Sequence, residues 1–167
     1  MGKYKSVEVK STLADALDKS DIEELRDEMQ SWIDNMAGTA LENTNKYSMA
    51  EEAVSELDRV DELDLDAVTD AIPEKADILK TELIYHDQVP KAKRQSTSRA
   101  VRLSNAVGRL DTALSWLESW LEEQEAPPVD QANNEDALEL DDLRSAVDEA
   151  KSNLDDLNGV EFPGMFS

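Results

Sequence analysis

The chain has 167 residues, no cysteine, and a formal net charge of −22 from 39 acidic and 17 basic side chains. Its length suits a single domain, residues 1–167, that buries its own core. The lack of cysteine excludes disulfides, thiolate metal ligands and a thiol nucleophile. The charge opposes direct binding to nucleic acid or to anionic membranes, and it favours a basic protein partner.

The N-terminal sequence MGKYKSVEVK has no apolar core of the kind that signal peptides carry. No later run is long and apolar enough to span a membrane. We therefore expect a protein of the cytoplasm or of the interior of a virus particle. Within this sequence, residues 6–9 alternate between polar and apolar side chains, which leaves a small two-stranded element open.

The first helical pattern covers about residues 21–36. Ser20 and Glu23 have the spacing of a capping box at its start, and Gly38 fits a helix stop. The apolar residues step by three and four, as in the seam of a helical bundle. These seam residues are Ile22, Leu25, Met29, Trp32 and Met36.

A second helical pattern covers about residues 49–61. Ser48 and Glu51 form another capping-box pair at its start. A polar loop of about ten residues separates it from the first helix, so we predict an antiparallel helical hairpin over about residues 21–61. The apolar residues of the second pattern are Ala50, Ala53, Leu57 and Val60.

Residues 62–90 form a middle segment that we predict to be short in helix or irregular. Its first part, residues 64–72, fits a short helix that Pro73 ends. Residues 78–85 fit either a helix or a strand.

Two longer helical patterns follow, over about residues 96–125 and 137–157, and they predict a second hairpin over about 96–157. Trp116 and Trp120 widen the apolar face of the first, and Asn158-Gly159 ends the second. The two seams consist of Leu103, Val107, Leu110, Leu114, Leu117 and Leu121, and of Leu140, Leu143, Val147, Ala150, Leu154 and Leu157.

These patterns predict an all-α fold, a helical bundle of two antiparallel hairpins. The C-terminal tail, residues 158–167, is apolar and rich in turn-forming residues. We expect Phe162, Met165 and Phe166 of this tail to fold back on the bundle. A heptad seam can also be buried between two copies of a chain, so a homodimer or larger assembly stays open.

Acidic residues outside the seams predict a surface that binds a basic partner. Rows of carboxylates on rigid helices can imitate the phosphates of duplex DNA, so the sharpest hypothesis is a DNA-mimic inhibitor of a nucleic-acid-binding protein. The alternative is a solvated surface that keeps the protein soluble. The candidate partner-binding residues are Glu23, Glu24, Asp27, Glu28, Glu51, Glu52, Glu56, Asp58, Asp141, Asp142, Asp148 and Glu149.

Residues 91–109 are an exception, with six basic side chains and no acidic one. No aromatic residue is interleaved with them, which disfavours binding to single-stranded nucleic acid. The heptad instead places Arg99, Arg102 and Arg109 beside the seam, where acidic helices can reach them. We therefore favour an internal electrostatic clasp over a binding patch formed by Arg94 and these three arginines.

Catalytic and metal-binding signals are weak. His86, the only histidine, has no nucleophile motif beside it, and the acidic run 61–70 lacks the spacing of a calcium loop. We expect no cofactor, no metal and no catalytic residue. The alternative enzyme is an all-helical, magnesium-dependent nucleotide pyrophosphatase, which requires Glu24, Glu28, Glu52 and Glu56 to converge.

Four stretches resemble small acidic helical proteins encoded by tailed bacteriophages: LRDEMQSWIDNM (residues 25–36), LENTNKY (41–47), SRAVRLSNAV (98–107) and VEFPGM (160–165). The resemblance implies a phage origin, with host takeover, counter-defence or particle assembly as settings and the host cytoplasm or the virion as locations. It assigns no site residues. A structural or assembly protein of the virion therefore stands as the alternative to an acidic binding protein.

Overall fold

The structure is a computed structural model that describes residues 4–39, 44–72, 77–95, 97–125 and 134–160. Most of this part of the chain is helical, with four main helices, α2, α3, α5 and α6. The elements in chain order are β1 (Tyr4–Thr12), α1 (Leu13–Ala16), α2 (Ser20–Met36), α3 (Asn45–Leu57), a 3₁₀ helix (Asp58–Glu62), α4 (Leu65–Ala71), β2 (Glu82–Pro90), α5 (Arg99–Glu125) and α6 (Asn134–Leu157).

A two-stranded antiparallel sheet corrects the all-α prediction. Strands β1 and β2 pair without interruption from Tyr4 opposite Pro90 to Thr12 opposite Glu82. The middle segment, residues 62–90, is therefore not irregular, since it contains α4 and the second strand. The two-stranded element that the alternation at residues 6–9 left open is present, and it is longer than that alternation indicated.

The buried face of α2 differs from the predicted seam at one position. Ile22, Leu25, Met29 and Met36 are buried as predicted, but Ile33 takes the place of Trp32, which is half-buried. Both positions lie close to the same stripe of a 3.6-residue helix, and the branched side chain fills the core. The large indole is left at the edge of the stripe.

The predicted capping boxes are wrong. Ser20 lies inside α2, and its N–H donates to Asp18 Oδ1 at 2.9 Å. Helix α3 begins before Ser48, with the Tyr47 N–H donating to Thr44 Oγ1 at 3.3 Å. The predicted stop after α2 is confirmed, because Gly38 has the left-handed φ of 79° that favours glycine.

Helix α5 lies at the centre of the fold and contacts α2, α6 and β2. All six predicted seam residues of α5 are buried, and so are those of α6 except Leu140, which is half-buried. Trp116 and Trp120 are half-buried against this core. Val160 is also buried, but Phe162, Met165 and Phe166 lie outside the described residues, and with them the predicted folding back of the tail.

Asn105 of α5 attaches the helix to the edge of the sheet. Its Nδ2 donates to the Gln88 carbonyl at 2.9 Å, and its Oδ1 accepts from the Gln88 N–H at 3.0 Å. The side-chain amide thus satisfies both backbone groups of one β2 residue, as a neighbouring strand would. Consequently β2 lies between α5 and β1. The main contacts of β1 are with β2 and α1.

Candidate functional site

An open groove with a volume of about 510 Å³ runs along the solvent side of α2. Its α2 residues are spaced by three and four, so they form one stripe of the helix. Arg99, at the start of α5, closes one side. The α2 residues of this groove are Glu24, Asp27, Glu28, Ser31, Trp32 and Asn35, and we call it the α2 groove.

Two carboxylates of the α2 groove, Glu24 and Asp27, are at most weakly neutralised by the described residues. Glu24 is exposed and forms no ion pair with any other residue that the structure describes. The Asp27 side chain is 77% exposed, and among the described residues it pairs only with Arg26, whose Nε lies 3.8 Å away. Arg26 donates its short hydrogen bond, of 2.8 Å, to Asp61 instead. Asp27 is therefore only weakly neutralised.

The third carboxylate of the groove, Glu28, is half-buried and paired with arginines of α5. Arg102 donates to both of its oxygens, at 2.6 and 2.8 Å, and Arg99 Nε lies 3.6 Å away. The hydrogen bonds from Arg102 hold the pKa of Glu28 below its usual value, while partial burial opposes them. Glu28 thus stays ionised but is largely neutralised, unlike Glu24 and Asp27.

Trp32 gives the α2 groove an aromatic wall. The residue is half-buried, packs against the core cluster and lines the groove. An indole beside carboxylates suits the side chain of arginine or lysine, because the aromatic face attracts a cation and the carboxylates neutralise it. The seam prediction assigned Trp32 to the core, where the structure places Ile33 instead.

The basic stretch joins α5 to α2. Besides the contacts of Arg99 and Arg102 with Glu28, Arg109 Nη1 donates to Asp21 at 3.0 Å and Arg109 Nη2 donates to the Asp18 carbonyl at 3.1 Å. This is the geometry that an internal clasp requires. Arg94 lies apart from it and is exposed.

The other candidate acidic residues of α2, α3 and the 3₁₀ helix differ in exposure and in pairing. On α3, Glu51 and Glu52 are exposed and Glu56 is half-buried. Asp58 lies 3.9 Å from Arg26, and Glu23 of α2 is half-buried. Asp27 and Asp58 thus both lie within 4 Å of Arg26 Nε, so the structure brings these two candidates together around one arginine.

On α6, three of the four candidates are exposed without an ion pair in the described chain, namely Asp142, Asp148 and Glu149. Asp141 accepts from Arg144 at 2.9 Å. Glu149 shares a second groove, of about 400 Å³, with acidic residues that were not among the binding candidates. These are Asp61, Glu62 and Asp64.

The carboxylate geometry that the pyrophosphatase alternative requires is not found. Within the described ranges, no three acidic or histidine side chains are grouped closely enough to hold a metal ion. Glu24, Glu28, Glu52 and Glu56 all belong to these ranges and form no such group. His86 is exposed on β2 opposite Glu8.

Asp87 of β2 is an unusual group that the sequence did not indicate. Its Oδ1 is buried without a hydrogen-bond partner in the described structure. Burial raises the pKa of Asp87, nearby Arg109 opposes that shift, and Asp21 adds to it. No sequence signal identified this residue, because its burial depends on the packing of β2 against α5.

Comparisons with protein-family models, with curated proteins and with solved structures found no match. None of the described helices is both long and apolar enough to cross a membrane.

Proposed function

We propose that the chain is a non-catalytic binding protein that recognises a basic protein partner, with the α2 groove as its main contact. In the sharpest form of the proposal it is a phage-encoded inhibitor that occupies the nucleic-acid-binding surface of a host protein. The observation that carries the proposal is the meeting of Glu24, Asp27 and Trp32 in one open groove.

The groove suits an arginine or lysine side chain through its carboxylates and its indole. Two carboxylates provide hydrogen-bond acceptors for a guanidinium or ammonium group, and an aromatic wall contacts its flat or apolar part. A groove of this kind contributes most when its charges are not already paired within the protein. Glu24 and Asp27 meet this condition better than Glu28, which Arg102 holds.

The distribution of basic residues supports the same proposal. Arg99, Arg102 and Arg109 are turned to acidic residues of their own chain and bring little positive charge to the surface. Most of the net charge of −22 is therefore left on the outside. Such a surface accelerates encounter with a basic protein and competes with nucleic acid for it.

A defined cationic probe tests the groove. We expect an arginine-rich peptide to bind with an affinity that falls steeply with salt, measured by isothermal titration calorimetry at low and high salt. The double variant Glu24→Gln/Asp27→Asn should bind about tenfold more weakly, and Trp32→Leu should also weaken binding. The matched control is Asp66→Asn/Asp70→Asn, which removes the same charge from exposed positions of α4.

Equal weakening by the groove and control variants would show that binding depends only on net charge, and it would contradict a specific site.

A competition experiment tests whether the chain mimics DNA. A partner captured from a bacterial lysate and identified by mass spectrometry should release duplex DNA when the chain is added. Simultaneous binding of DNA and chain would exclude DNA mimicry, and binding that is insensitive to salt would exclude the electrostatic mechanism.

A further inference from the structure

The outer edge of β1 is a strand edge to which no described strand pairs. Asn105 of α5 bonds to both backbone groups of Gln88. The N–H and the carbonyl of Gln88 therefore point towards α5 and away from β1. Its cross-strand partner Ser6 must then point its own N–H and carbonyl away from β2. The Leu13 N–H donates to the Thr81 carbonyl at 2.8 Å, which fixes the same alternation at the other end of the strand.

The uninterrupted register extends this alternation along β1. The backbone groups of Ser6, Glu8 and Lys10 all point outward, and no residue in the described ranges bonds to them. All three residues are exposed. A strand edge with free donors and acceptors is a template for another strand.

We infer that the outer edge of β1 pairs antiparallel with β1 of a second copy of this chain, in the register that places Val9 opposite Val9 of that copy. The two-stranded sheet then becomes four-stranded and spans the dimer. Isolated two-stranded sheets are marginal in water, so this extension stabilises both copies.

Charge selects this register among those that match the outward backbone groups. With Val9 on the two-fold axis, Glu8 of each copy lies directly opposite Lys10 of the other. A register with Glu8 on the axis would place the two Glu8 carboxylates opposite each other. A register with Lys10 on the axis would do the same to the two Lys10 ammonium groups. A register with Val7 on the axis would leave both Glu8 and Lys10 without a charged residue opposite them. Directly opposed unlike charges stabilise a strand pair, whereas like charges destabilise it.

The overall charge of the protein also favours this edge for self-association. Two copies with a net charge of −22 repel each other over most of their surfaces. Strand β1 differs, since its two lysines and one glutamate give it a small positive charge. Helix α5 reaches the opposite edge of the sheet through Asn105 and does not obstruct pairing at β1.

Sedimentation equilibrium tests the dimer, and a charge exchange tests the register. We expect wild-type protein to dimerise and the single variants Glu8→Lys and Lys10→Glu to associate about tenfold more weakly or worse. The exchange variant Glu8→Lys/Lys10→Glu restores unlike pairs and should dimerise again. Circular dichroism of each variant must match wild type. A protein that stays monomeric up to about 1 mM, or single variants that associate normally, would overturn the inference.

A disulfide provides an independent test, because the chain has no natural cysteine. In this register the two Val9 residues form a pair without mutual hydrogen bonds, whose Cα atoms lie about 4.5 Å apart, within reach of a disulfide. Val9→Cys should therefore crosslink under mild oxidation, whereas Val7→Cys should not. Crosslinking of Val7→Cys in preference to Val9→Cys would show a different register and overturn this one.

Discussion

Arg102 of α5 binds Glu28 of α2 through two parallel hydrogen bonds, Nη1 to Oε2 at 2.6 Å and Nη2 to Oε1 at 2.8 Å. A planar guanidinium that meets a carboxylate in this way fixes both distance and orientation. The two residues are 74 positions apart in the sequence, so the pair joins distant parts of the chain. It therefore helps to orient α5 against α2, and it neutralises Glu28 more than Glu24 or Asp27.

Replacing Arg102 with Gln should destabilise the fold. Both side chains of the pair are more than a third exposed, so solvent screening limits the loss of unfolding free energy to about 1 kcal/mol. The loss should be larger at low salt than at high salt. Urea denaturation at two salt concentrations measures it, with Arg94→Gln as the exposed control. Equal losses for the two variants would contradict the clasp.

The same pair predicts a pH dependence. Because Arg102 holds the pKa of Glu28 below its ordinary value of 4.5, ionised Glu28 stabilises the fold above that pH. This contribution is lost as the pH falls through the lowered pKa of the folded state. The stability difference between wild type and Glu28→Gln should therefore be present at pH 7 and shrink below about pH 4. A difference that stays constant over this range would contradict ionic stabilisation by Glu28.

The sequence predicted the main helices well because their signals are local. The apolar steps of α5, from Leu103 to Leu121, identify both the helix and its buried face without knowledge of any neighbour. The ion pairs of Arg99, Arg102 and Arg109 could also be anticipated, since basic residues beside a seam have mostly acidic neighbours in so acidic a chain.

The sheet and the α2 groove could not be predicted from local patterns, because distant parts of the chain form them. Strand β2 is recognisable only through its pairing with β1, about eighty residues earlier, and its segment fits a helix equally well by pattern. The exchange of Trp32 for Ile33 in the core depends on the shape of the packed interior, which periodicity does not encode. Sequence alone therefore found the acidic candidates but not the groove.

Asn105→Ala should weaken the attachment of α5 to the sheet. The substitution leaves the N–H and carbonyl of Gln88 without their partner, so we expect a loss of about 1–2 kcal/mol in unfolding free energy. Ser104→Ala, at an exposed neighbouring position of α5, is the control and should change stability little. Hydrogen exchange at the Gln88 amide should also accelerate in Asn105→Ala. Unchanged protection there would show that the contact is not maintained in solution.

Two glycines should respond to alanine in opposite directions. Gly108 lies inside α5, and a Cβ there meets no atom within 4 Å, so Gly108→Ala should stabilise the protein by about 0.5–1 kcal/mol. Gly38 has equal space but a φ of 79°, so Gly38→Ala should cost about 1 kcal/mol. Thermal denaturation compares them. Stabilisation by both substitutions would show that the chain after α2 does not keep its left-handed turn at Gly38.

Asp87→Asn should stabilise the protein at neutral pH. Burial raises the pKa of Asp87 above its ordinary value of 3.8, so the group favours folding only while it is protonated, and this contribution is lost as the pH rises through the raised pKa. Removing the charge should raise the unfolding free energy at pH 7 by roughly 0.5 kcal/mol. The gain should vanish below about pH 4, where Asp87 is protonated in both states.

The control for Asp87→Asn is Glu82→Gln, because Glu82 lies on the same strand and is exposed. It should change stability little at either pH. Urea denaturation of both variants and wild type at pH 7 and at low pH separates the effects. A loss of stability in Asp87→Asn at pH 7 would mean that attraction to Arg109 outweighs the cost of burying the carboxylate, which is the reverse of the balance argued from its surroundings.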